Sequence, residues 1–398
     1  MNAQLQQSGI DNSVAAAQSS LRGVKVLHLG KFYPPHMGGI ETHLQQLARE
    51  LKADLDLQVV VANDGRRTVA EIVDGVPVVR LANPLTLFST PLCPALVSQI
   101  RASKADLVHI HLPNPAAVLA FLASGHRGRV LFTYHSDTVR QKVLGSLFEP
   151  FLHAALRRSS AIIATSPNYL ETSPVLAGYR DRCHVIPYGI DIAEFQHCDP
   201  AAVAQIRRRL GDRLIITVGR LVYYKGFEYL IRAMDDVQGK LLIIGDGPLR
   251  GELENLASDI GVTDKVIFAG EVQNSETVPY YHAADVFALA SVARSEAFGI
   301  VQIEAMAAGL PVVNTKLDSG VPFVSLDQQT GVTVPPADHK ALAGALNRLL
   351  DDPDLRKTMG QAAQLRAQTE FRSKIMASRT LSLYAAIMAK PHIAKTSQ

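Results

Sequence analysis

Short apolar runs alternate with longer amphipathic stretches along most of the chain, and this alternation constrains the fold more than any other feature. From Leu21 onward the runs VKVLHLG, LQVVVAN, DLVHIH, RVLFTYH and AIIATS are rich in Val, Ile and Leu, and helical patterns lie between them. Such runs are typical of buried parallel strands with helices on both faces of the sheet. The first half of the chain therefore predicts a doubly wound α/β domain.

The alternation pauses at DIAEFQHCDPAAVAQIRRRLGD and then restarts with RLIITVGR, KLLIIGDG, KVIFAGEV, VFALAS and PVVNTK. A chain of 398 residues is also too long for one ordinary core. We predict a polar, disordered tail over 1–20, an N-terminal Rossmann-like domain over 21–200 and a C-terminal one over 201–388. The last helix is expected to pack back on the first domain, and the two domains to face each other across a ligand-binding cleft.

Composition narrows the class of ligand. The formal net charge is only +3 and 47% of the residues are hydrophobic, which favours neither disorder nor nucleic-acid binding. Cys93, Cys183 and Cys198 show no metal-binding or redox spacing and fit a reducing cytoplasm. The sequence contains neither a secretion signal nor an apolar run long enough to span a membrane. We expect a cytoplasmic protein that binds a small molecule.

Two glutamates lie eight residues apart in SEAFGIVQIEAMAAG. Glu296 falls in a loop after a predicted strand, and Glu304 in the second turn of a helix that we expect to begin between Phe298 and Ile300. Free amides at a helix start can receive an anion or hydroxyl groups, whereas a carboxylate near a diphosphate is best used to bind hydroxyls. The alternative is that both are solvated residues favoured by the helix dipole.

Cations and glycines follow the neighbouring strands. In TVGRLVYYKGFEYLIRA, Arg220 ends a strand and Lys225 starts a helix, where a diphosphate could lie against both charges. Two surface cations flanking a loop would be the simpler interpretation. Gly245 lies in the turn IIGDGPLR, which lacks the full glycine spacing of a dinucleotide site.

Glycines and histidines mark the predicted ligand edge of the first domain. Gly38 and Gly39 precede a helix, where they allow close approach of a ligand to the backbone or form an ordinary tight turn. His135 ends a predicted strand and is a candidate for the catalytic site. His109 and His111, in VHIHLPNP, are interpreted as packing groups at a strand end, with His111 the closer of the two to a ligand role.

Taken together these motifs resemble a retaining glycosyltransferase of family 4, with the GT-B architecture of two facing Rossmann-like domains. The resemblance runs from Leu21 to Tyr384. The motifs occur in family order: GGIE at 38–41, VIPYGID at 185–191, VGRL at 218–221 with Lys225, and the Glu296/Glu304 pair.

The resemblance implies a role for each matching residue. Glu296 would contact hydroxyls of the donor sugar and Glu304 the ribose, while Arg220 and Lys225 would bind the diphosphate and stabilise the leaving group. His135 would lie near the transferred sugar and the acceptor. The remaining donor-binding positions are Gly38, Gly39, Gly245, Phe298, Gly299 and Ile300, the last three through backbone amides.

Three further segments, VVNTKLDSGVPFVS, YHSDTVRQK and ATSPNYLETSPVL, resemble the bacterial mannosyl- and rhamnosyltransferases of lipopolysaccharide and exopolysaccharide synthesis. This resemblance implies transfer of mannose or rhamnose from a GDP-linked donor, with a UDP-linked donor as the alternative, to an acceptor on a glycan or a polyprenyl diphosphate. The family resemblance implies that no metal or other cofactor is required. Residues 101–160 carry eight Lys or Arg against three Asp or Glu. The helix VLGSLFEPFLHAALRRSS could therefore rest on the inner face of the plasma membrane, or be a core helix with a basic end.

Other functions remain open on the sequence alone. A nucleotide-sugar epimerase or a phosphorylase could share the two-domain plan, and incubation with donor alone would reveal an epimerase. A dinucleotide-dependent oxidoreductase is disfavoured because its glycine fingerprint is missing. A sugar-binding protein without catalysis is disfavoured because both glutamates and both cations are present. The sugar, the base, the acceptor and the oligomeric state are not specified by the sequence.

Overall fold

A computed structural model describes residues 17–36, 38–87, 90–137 and 142–391, with the side chains of 142–146 and 274–275 excepted. Most of the predicted N-terminal tail lies outside these ranges. The chain forms two compact units. The N-terminal unit comprises 1–165, 173–189 and 373–398, and the C-terminal unit comprises 166–172 and 190–372. The main chain passes from one unit to the other after Gly189, eleven residues before the expected boundary.

An eight-stranded sheet forms the centre of the N-terminal unit. Its strands are β1 (Lys25–Leu29), β2 (Asp56–Ala62), β3 (Val69–Val73), β4 (Val76–Leu81), β7 (Leu107–Leu112), β8 (Arg129–Tyr134), β9 (Ala161–Ala164) and β10 (Cys183–Val185), and a separate hairpin joins β5 (Leu85–Leu87) to β6 (Thr90–Leu92). The spatial order is β10-β9-β8-β7-β1-β2-β4-β3. Every neighbour is parallel except β3, which pairs antiparallel with β4 at the edge. The sequence analysis did not identify this edge hairpin, whose β3 is largely exposed.

Helices cover this sheet: α1 (Gly39–Leu51), α2 (Leu96–Ser103), α3 (Pro115–Ser124), α4 (Lys142–Arg157) and the C-terminal helix α15 (Ser373–Ala389). Helix α1 places Leu44, Leu47 and Leu51 against the sheet, as its apolar spacing predicts. Helix α15 packs against α1 and contributes Leu381 and Tyr384 to the same core. The end of the chain thus completes the N-terminal unit.

The C-terminal unit is built on six parallel strands: β11 (Leu214–Val218), β12 (Lys240–Ile244), β13 (Val266–Gly270), β14 (Val286–Leu289), β15 (Val312–Thr315) and β16 (Gly331–Val334). Its helices are α5 (Pro167–Thr172), α6 (Ala193–Gln196), α7 (Pro200–Leu210), α8 (Phe227–Ala233), α9 (Arg250–Asp259), α10 (Asn274–Ala283), α11 (Val301–Ala307), α12 (Val321–Val324), α13 (His339–Asp351) and α14 (Pro353–Glu370). A core dominated by aliphatic side chains lies between the sheet and α8, α9 and α13.

Each sheet has a position where its strand order reverses. In the C-terminal unit the order is β13-β12-β11-β14-β15-β16, so the chain winds outward in opposite directions from β11 and β14. In the N-terminal unit the corresponding neighbours are β1 and β7. The crevice outside the carboxyl ends of such strands is where open parallel sheets bind ligands. A ligand site is therefore expected in the loops that follow β1, β7, β11 and β14.

Candidate functional site

A close ion pair joins the two loops at the reversal point of the C-terminal sheet. Lys225 follows β11, Glu296 follows β14, and Lys225 Nζ lies 2.6 Å from Glu296 Oε2. Both side chains are nearly buried, and Ser291 Oγ donates to the same carboxylate oxygen at 3.2 Å. Burial would lower the pKa of Lys225, but the adjacent Glu296 carboxylate outweighs that effect and the pKa is raised. Lys225 is therefore held in its charged form.

The backbone fixes this ion pair in place. Lys225 ends a short 3₁₀ turn, and the amide of Val292 donates to Tyr224 O at 2.8 Å, which ties that turn to the loop after β14. Gly226 then starts α8 with a φ of 67°, and a Cβ there would lie 2.1 Å from Ala290 O. Because only glycine permits both this conformation and this contact, the sequence YYKG predetermines how close the two loops come.

Glu304 lies in the first turn of α11 and accepts a hydrogen bond from Tyr281 Oη at 2.8 Å. Tyr281 is fully buried, while Glu304 keeps part of its surface exposed. Burial raises the pKa of Glu304, whereas the Tyr281 hydroxyl and the Lys225 charge act to lower it. The hydroxyl holds one carboxylate oxygen and leaves the other for a ligand.

The start of α11 differs from the expectation. The helix begins at Val301 rather than between Phe298 and Ile300, so Glu304 lies in its first turn and not in its second. Among the described residues, the amides of Gly299 and Ile300 have no backbone acceptor. They are available to a ligand. The Phe298 ring is instead buried against Phe323 and Phe371, so its side chain serves the core.

Arg220 and Gly245 lie at the same edge of the sheet. The Arg220 side chain is exposed, and within the described ranges it forms no ion pair, so its charge is available to an anion. Gly245 has a φ of 134°, and a Cβ at this position would lie 2.2 Å from Gly219 O. Close packing of the two strand ends explains this glycine without a ligand, and its contact with a donor stays a prediction.

The N-terminal candidates lie after β1 and β8. Gly38 directly precedes α1, and Gly39 is its first residue. His135 follows β8, but its ring points into the unit: only 1% of its surface is exposed, and both ring nitrogens have partners, His111 and Tyr188. Its ring is therefore not positioned to exchange a proton with a ligand in this conformation. His109 and His111 are buried, in agreement with their interpretation as packing groups.

Sequence reasoning missed three groups that organise this site. Ser291 and Tyr281 hold the two glutamates, and Thr315 Oγ1 donates to Ser291 O at 2.5 Å from the next strand. Ser291 lies at the end of VFALAS and could have been identified by its position. Tyr281 gave no signal, because α10 brings it to Glu304 from 23 positions earlier in the sequence.

Potential metal ligands cluster elsewhere. In the described part of the chain, groups of three or more metal-ligating side chains are two buried histidine trios in the N-terminal unit, namely His28, His109 and His111, and His43, His111 and His135. The acidic doublets Asp235–Asp236 and Asp351–Asp352 lie at the surface, where Asp236 pairs with Lys340 and Asp351 with Arg213.

A Rossmann-like unit with two cations and two carboxylates at its strand-reversal point has the charges and hydrogen-bonding groups that an anionic, polyhydroxylated ligand requires. Solved structures agree in fold. Sucrose-phosphate synthase from Thermosynechococcus elongatus has a TM-score of 0.79 and 26% identity, over 92% of this chain and 99% of that one. The Anabaena protein HepE, solved in complex with UDP, has a TM-score of 0.77 at 22% identity, over 91% of this chain and all of that one. The fold is that of the GT-B glycosyltransferases.

Sequence comparisons give the family. Residues 37–194 match the model of Glycosyltransferase Family 4, and residues 200–366 match that of Glycosyl transferases group 1. The chain is 32% identical over 352 residues to D-rhamnosyltransferase WbpZ of Pseudomonas aeruginosa, covering 87% of this chain and 92% of that protein. It is 29% identical to O-antigen chain mannosyltransferase C of Escherichia coli, covering 92% and 99%. The chain belongs to glycosyltransferase family 4 and is a hexosyltransferase, as the sequence motifs predicted.

Proposed function

We propose that this enzyme transfers mannose or rhamnose, with retention of anomeric configuration, from a GDP-linked donor to a glycan or a polyprenyl-diphosphate-linked acceptor. The names of the relatives support the sugar, since they are a rhamnosyltransferase and a mannosyltransferase. Others are mycobacterial mannosyltransferases whose names specify GDP-mannose. HepE was solved with UDP, so a UDP-linked donor is the alternative. Surface polysaccharide synthesis is the proposed context.

The buried Lys225–Glu296 ion pair is the observation that carries the proposal. A diphosphate bound after β11 would face Lys225 and Arg220, which has no ion-pair partner among the described residues; these are two positive charges for a group that gains negative charge as the sugar leaves. Glu296 keeps Lys225 charged and oriented before the donor arrives. When phosphate oxygens of the donor contact Lys225 in place of Glu296, the Glu296 carboxylate can accept hydrogen bonds from sugar hydroxyls.

Glu304 fits the recognition of a ribose. It retains an exposed part and has one oxygen held by Tyr281, which pre-orients the other for a diol. A carboxylate in this position serves binding rather than chemistry, because the ribose is unchanged during transfer. The amides of Gly299 and Ile300 would complete the contacts to the sugar or the phosphate.

The proposal includes neither a metal nor a protein base. Lys225 and Arg220 supply the positive charge that a divalent cation would provide in a phosphoryl-binding site, and Glu296 and Glu304 already have protein partners. The leaving phosphate would accept the proton of the acceptor hydroxyl, and His135 would not be needed as a base. Its predicted contact with the sugar stays a prediction.

Donor selection tests the proposal. Thermal-shift measurements with GDP-mannose, GDP-rhamnose and UDP-glucose would identify the donor, since a ligand at 100 times its Kd stabilises by about 2.7 kcal/mol. Transfer to lipid-linked glycan acceptors is then followed by mass spectrometry, and NMR of the product gives its anomeric configuration. Incubation with donor alone is the control. Isomerisation of the donor without acceptor, or an inverted product, would contradict the proposal.

We also propose that α4 docks the enzyme on an anionic membrane. Leu147 and Phe151, one helical turn apart, are 70% and 49% exposed, and Arg157 is exposed at the end of the helix. The negative charge of Glu149 on the same helix would be repelled by anionic lipid, although its Oε1 lies 3.5 Å from His153 Nε2. Two large apolar side chains beside a basic end are typical of a helix that rests in a membrane interface. Within the described residues, no helix is long and apolar enough to cross a membrane.

Liposome flotation tests this docking with two matched substitutions. Replacing Leu147 and Phe151 by Ser should reduce binding at all salt concentrations, while Arg157→Glu should reduce only the part that salt suppresses. Arg158 is unsuitable for this purpose because it stacks on Phe121 and donates to His126 O. If liposome binding does not increase with anionic lipid and is unchanged in both variants, the docking proposal is refuted, and the transferase assignment is unaffected.

A further inference from the structure

Two buried side-chain amides lie beneath the start of α11. Gln302 is in the first turn of that helix, Asn314 is on β15, and neither side chain is exposed to solvent. Asn314 Nδ2 donates to Gln302 Oε1 at 2.9 Å, and Thr333 Oγ1 on β16 donates to Asn314 Oδ1 at 2.7 Å. The function proposed above assigns no role to these side chains. Because buried amides are costly unless they are hydrogen-bonded, their partners decide what they hold in place.

Backbone carbonyl groups fix the orientation of both amides. Gln302 Nε2 donates to Phe298 O at 3.2 Å and to Val321 O at 3.4 Å. Asn314 Nδ2 donates to Val321 O at 3.1 Å and to Ser325 O at 3.3 Å. Carbonyl oxygens accept hydrogen bonds and do not donate them, so the NH₂ group of each side chain must face them. The amide oxygen of Gln302 then accepts from Asn314.

The carbonyl groups of four consecutive residues, 297–300, all accept hydrogen bonds from the protein. Their donors are, in chain order, Gly320 N at 2.7 Å, Gln302 Nε2 at 3.2 Å, Gln302 N at 3.0 Å and Ile303 N at 2.8 Å. Gln302 thus supplies two of the four donors, one from its side chain and one from its backbone. These two donors hold the carbonyl groups of Phe298 and Gly299.

Peptide geometry converts these contacts into a direction for two N–H groups. The Phe298 carbonyl shares a peptide plane with the Gly299 N–H, and the Gly299 carbonyl shares the next plane with the Ile300 N–H. Neither peptide bond is cis, and in a trans peptide the N–H points opposite to the C=O. Both N–H groups are therefore directed away from the donors on Gln302. Gly299 permits this turn, since its φ is 75° and a Cβ there would lie 2.8 Å from Gln302 Nε2.

We propose that Gln302 is a positioning residue for sugar transfer, because it orients the amides of Gly299 and Ile300 toward the donor. Asn314 keeps the Gln302 side chain in the orientation that this requires. The segment VVNTKLDSGVPFVS, which contains Asn314, thereby acts on the donor site through Gln302. That the two backbone amides contact the donor rests on the function proposed above, whereas the orientation of their peptide planes does not depend on it.

Gln302→Met removes this hold with little change in side-chain length. Asn314 Nδ2 retains Val321 O and Ser325 O as acceptors. The Phe298 carbonyl is therefore the group that loses a donor. In steady-state assays kcat should fall about tenfold, because N–H groups that are no longer held in place stabilise the transition state less well. The KM for the donor should change by less than about threefold, since the effect is on charge that develops during transfer.

Thr333→Val is the matched control. It keeps the side-chain volume and removes the hydroxyl that donates to Asn314 Oδ1, while the hydrogen bonds of Gln302 remain. This variant should lower the melting temperature, because a buried oxygen loses its donor, and should keep the parent kcat. A fall in kcat equal to that of Gln302→Met would show that lost stability is the cause, and would overturn the proposal.

Gly320→Ala perturbs residues 297–300 from the other side and serves as the test if Gln302→Met does not fold. Gly320 has a φ of −72° and a ψ of −8°, which alanine adopts readily. The added Cβ, however, would lie 2.8 Å from both Ala297 O and the Phe298 ring. Displacement of this segment should lower kcat as well. Parental kcat in the variants that fold would refute the positioning role.

Hydrogen exchange tests the hold without any donor. In the ligand-free full-length protein, peptides covering 297–306 should exchange about tenfold faster in Gln302→Met and at the parent rate in Thr333→Val. Unchanged exchange in Gln302→Met would also overturn the proposal. A parent enzyme that transfers no sugar from any tested donor would instead contradict the proposed function, and the exchange result would distinguish the two failures.

Discussion

Replacement of His43 by Leu should stabilise the N-terminal unit, and the gain should grow as the pH falls. His43 lies on α1 with 5% of its surface exposed, and neither ring nitrogen has a hydrogen-bond partner among the described residues. Its neighbours are the rings of His111, His135 and Tyr188. Since a buried unsatisfied polar group costs about 1–3 kcal/mol, an apolar side chain of similar size should contribute about 1 kcal/mol or more at pH 8.

The pH-dependent part follows from the pKa. Burial holds the pKa of His43 at about 3, below the 6.5 of an exposed histidine, so below pH 6.5 the unfolded state binds a proton that the folded state does not, and stability falls as the pH drops toward 3. At pH 5 the unfolded histidine is almost fully protonated and the folded one is not, which costs about 2 kcal/mol. Leu carries no such cost, so the stabilisation at pH 5 should be about 2 kcal/mol larger than at pH 8.

His28→Leu is the matched control. The pKa of His28 is also lowered to about 3, so the same pH-dependent difference of about 2 kcal/mol is expected. At pH 8, however, this substitution should destabilise the unit, because it leaves His111 Nε2 and the Tyr384 hydroxyl without their partner.

Hydrogen exchange of β7 and β8 peptides, measured against urea concentration at both pH values, reports the stability of the N-terminal unit separately. Loss of stability in His43→Leu at pH 8, or equal effects at both pH values, would refute the reasoning.

Four further predictions concern the C-terminal site. Glu296→Gln should lower kcat at least a hundredfold and destabilise the fold less than Lys225→Ala does, because Gln leaves the Lys225 charge unpaired but can still accept from Ser291 and Lys225; parental turnover would remove Glu296 from the mechanism. Lys225→Ala should abolish activity and also destabilise the fold by about 3 kcal/mol, because it leaves the nearly buried Glu296 carboxylate unpaired. In urea unfolding, the double variant Lys225→Ala with Glu296→Gln should recover most of that stability. Glu304→Ala should raise the donor Kd about tenfold in calorimetry with little effect on kcat, and the opposite split would contradict a ribose contact. Chelation with EDTA should leave turnover unchanged, and restoration of a lost activity by Mg²⁺ would show that a metal is required.

Much of the fold could be predicted because its strands are buried on both faces. Runs such as RLIITVGR and KLLIIGDG are continuously apolar, which is the pattern of parallel strands, and each became a strand of the C-terminal sheet. The edge hairpin of β3 and β4 was missed because its exposed positions carry a mixed pattern without that signal. The start of α11 was placed too early because Gly299 adopts a φ of 75°, which a right-handed helix does not use.

The sequence by itself determined the chemical groups of the C-terminal site. Arg220, Lys225, Glu296 and Glu304 are identifiable because each follows a recognisable strand, and the carboxyl ends of parallel strands meet at one edge. Only the tertiary structure decided that Lys225 and Glu296 form an ion pair and that Tyr281 holds Glu304. Side-chain partners depend on which helix packs over the strand ends, and local sequence does not encode that packing.

The histidines of the N-terminal unit show the same division. The sequence VHIH placed His109 and His111 on one face of a strand, because side chains alternate with period two. That they join His28, His135 and a tyrosine from the last helix, 275 positions from His109, followed only from the return of α15 to the N-terminal unit. A hydrogen bond needs atoms within about 3 Å in a fixed orientation. The sequence supplies the atoms, and the packing of distant segments determines which of them meet.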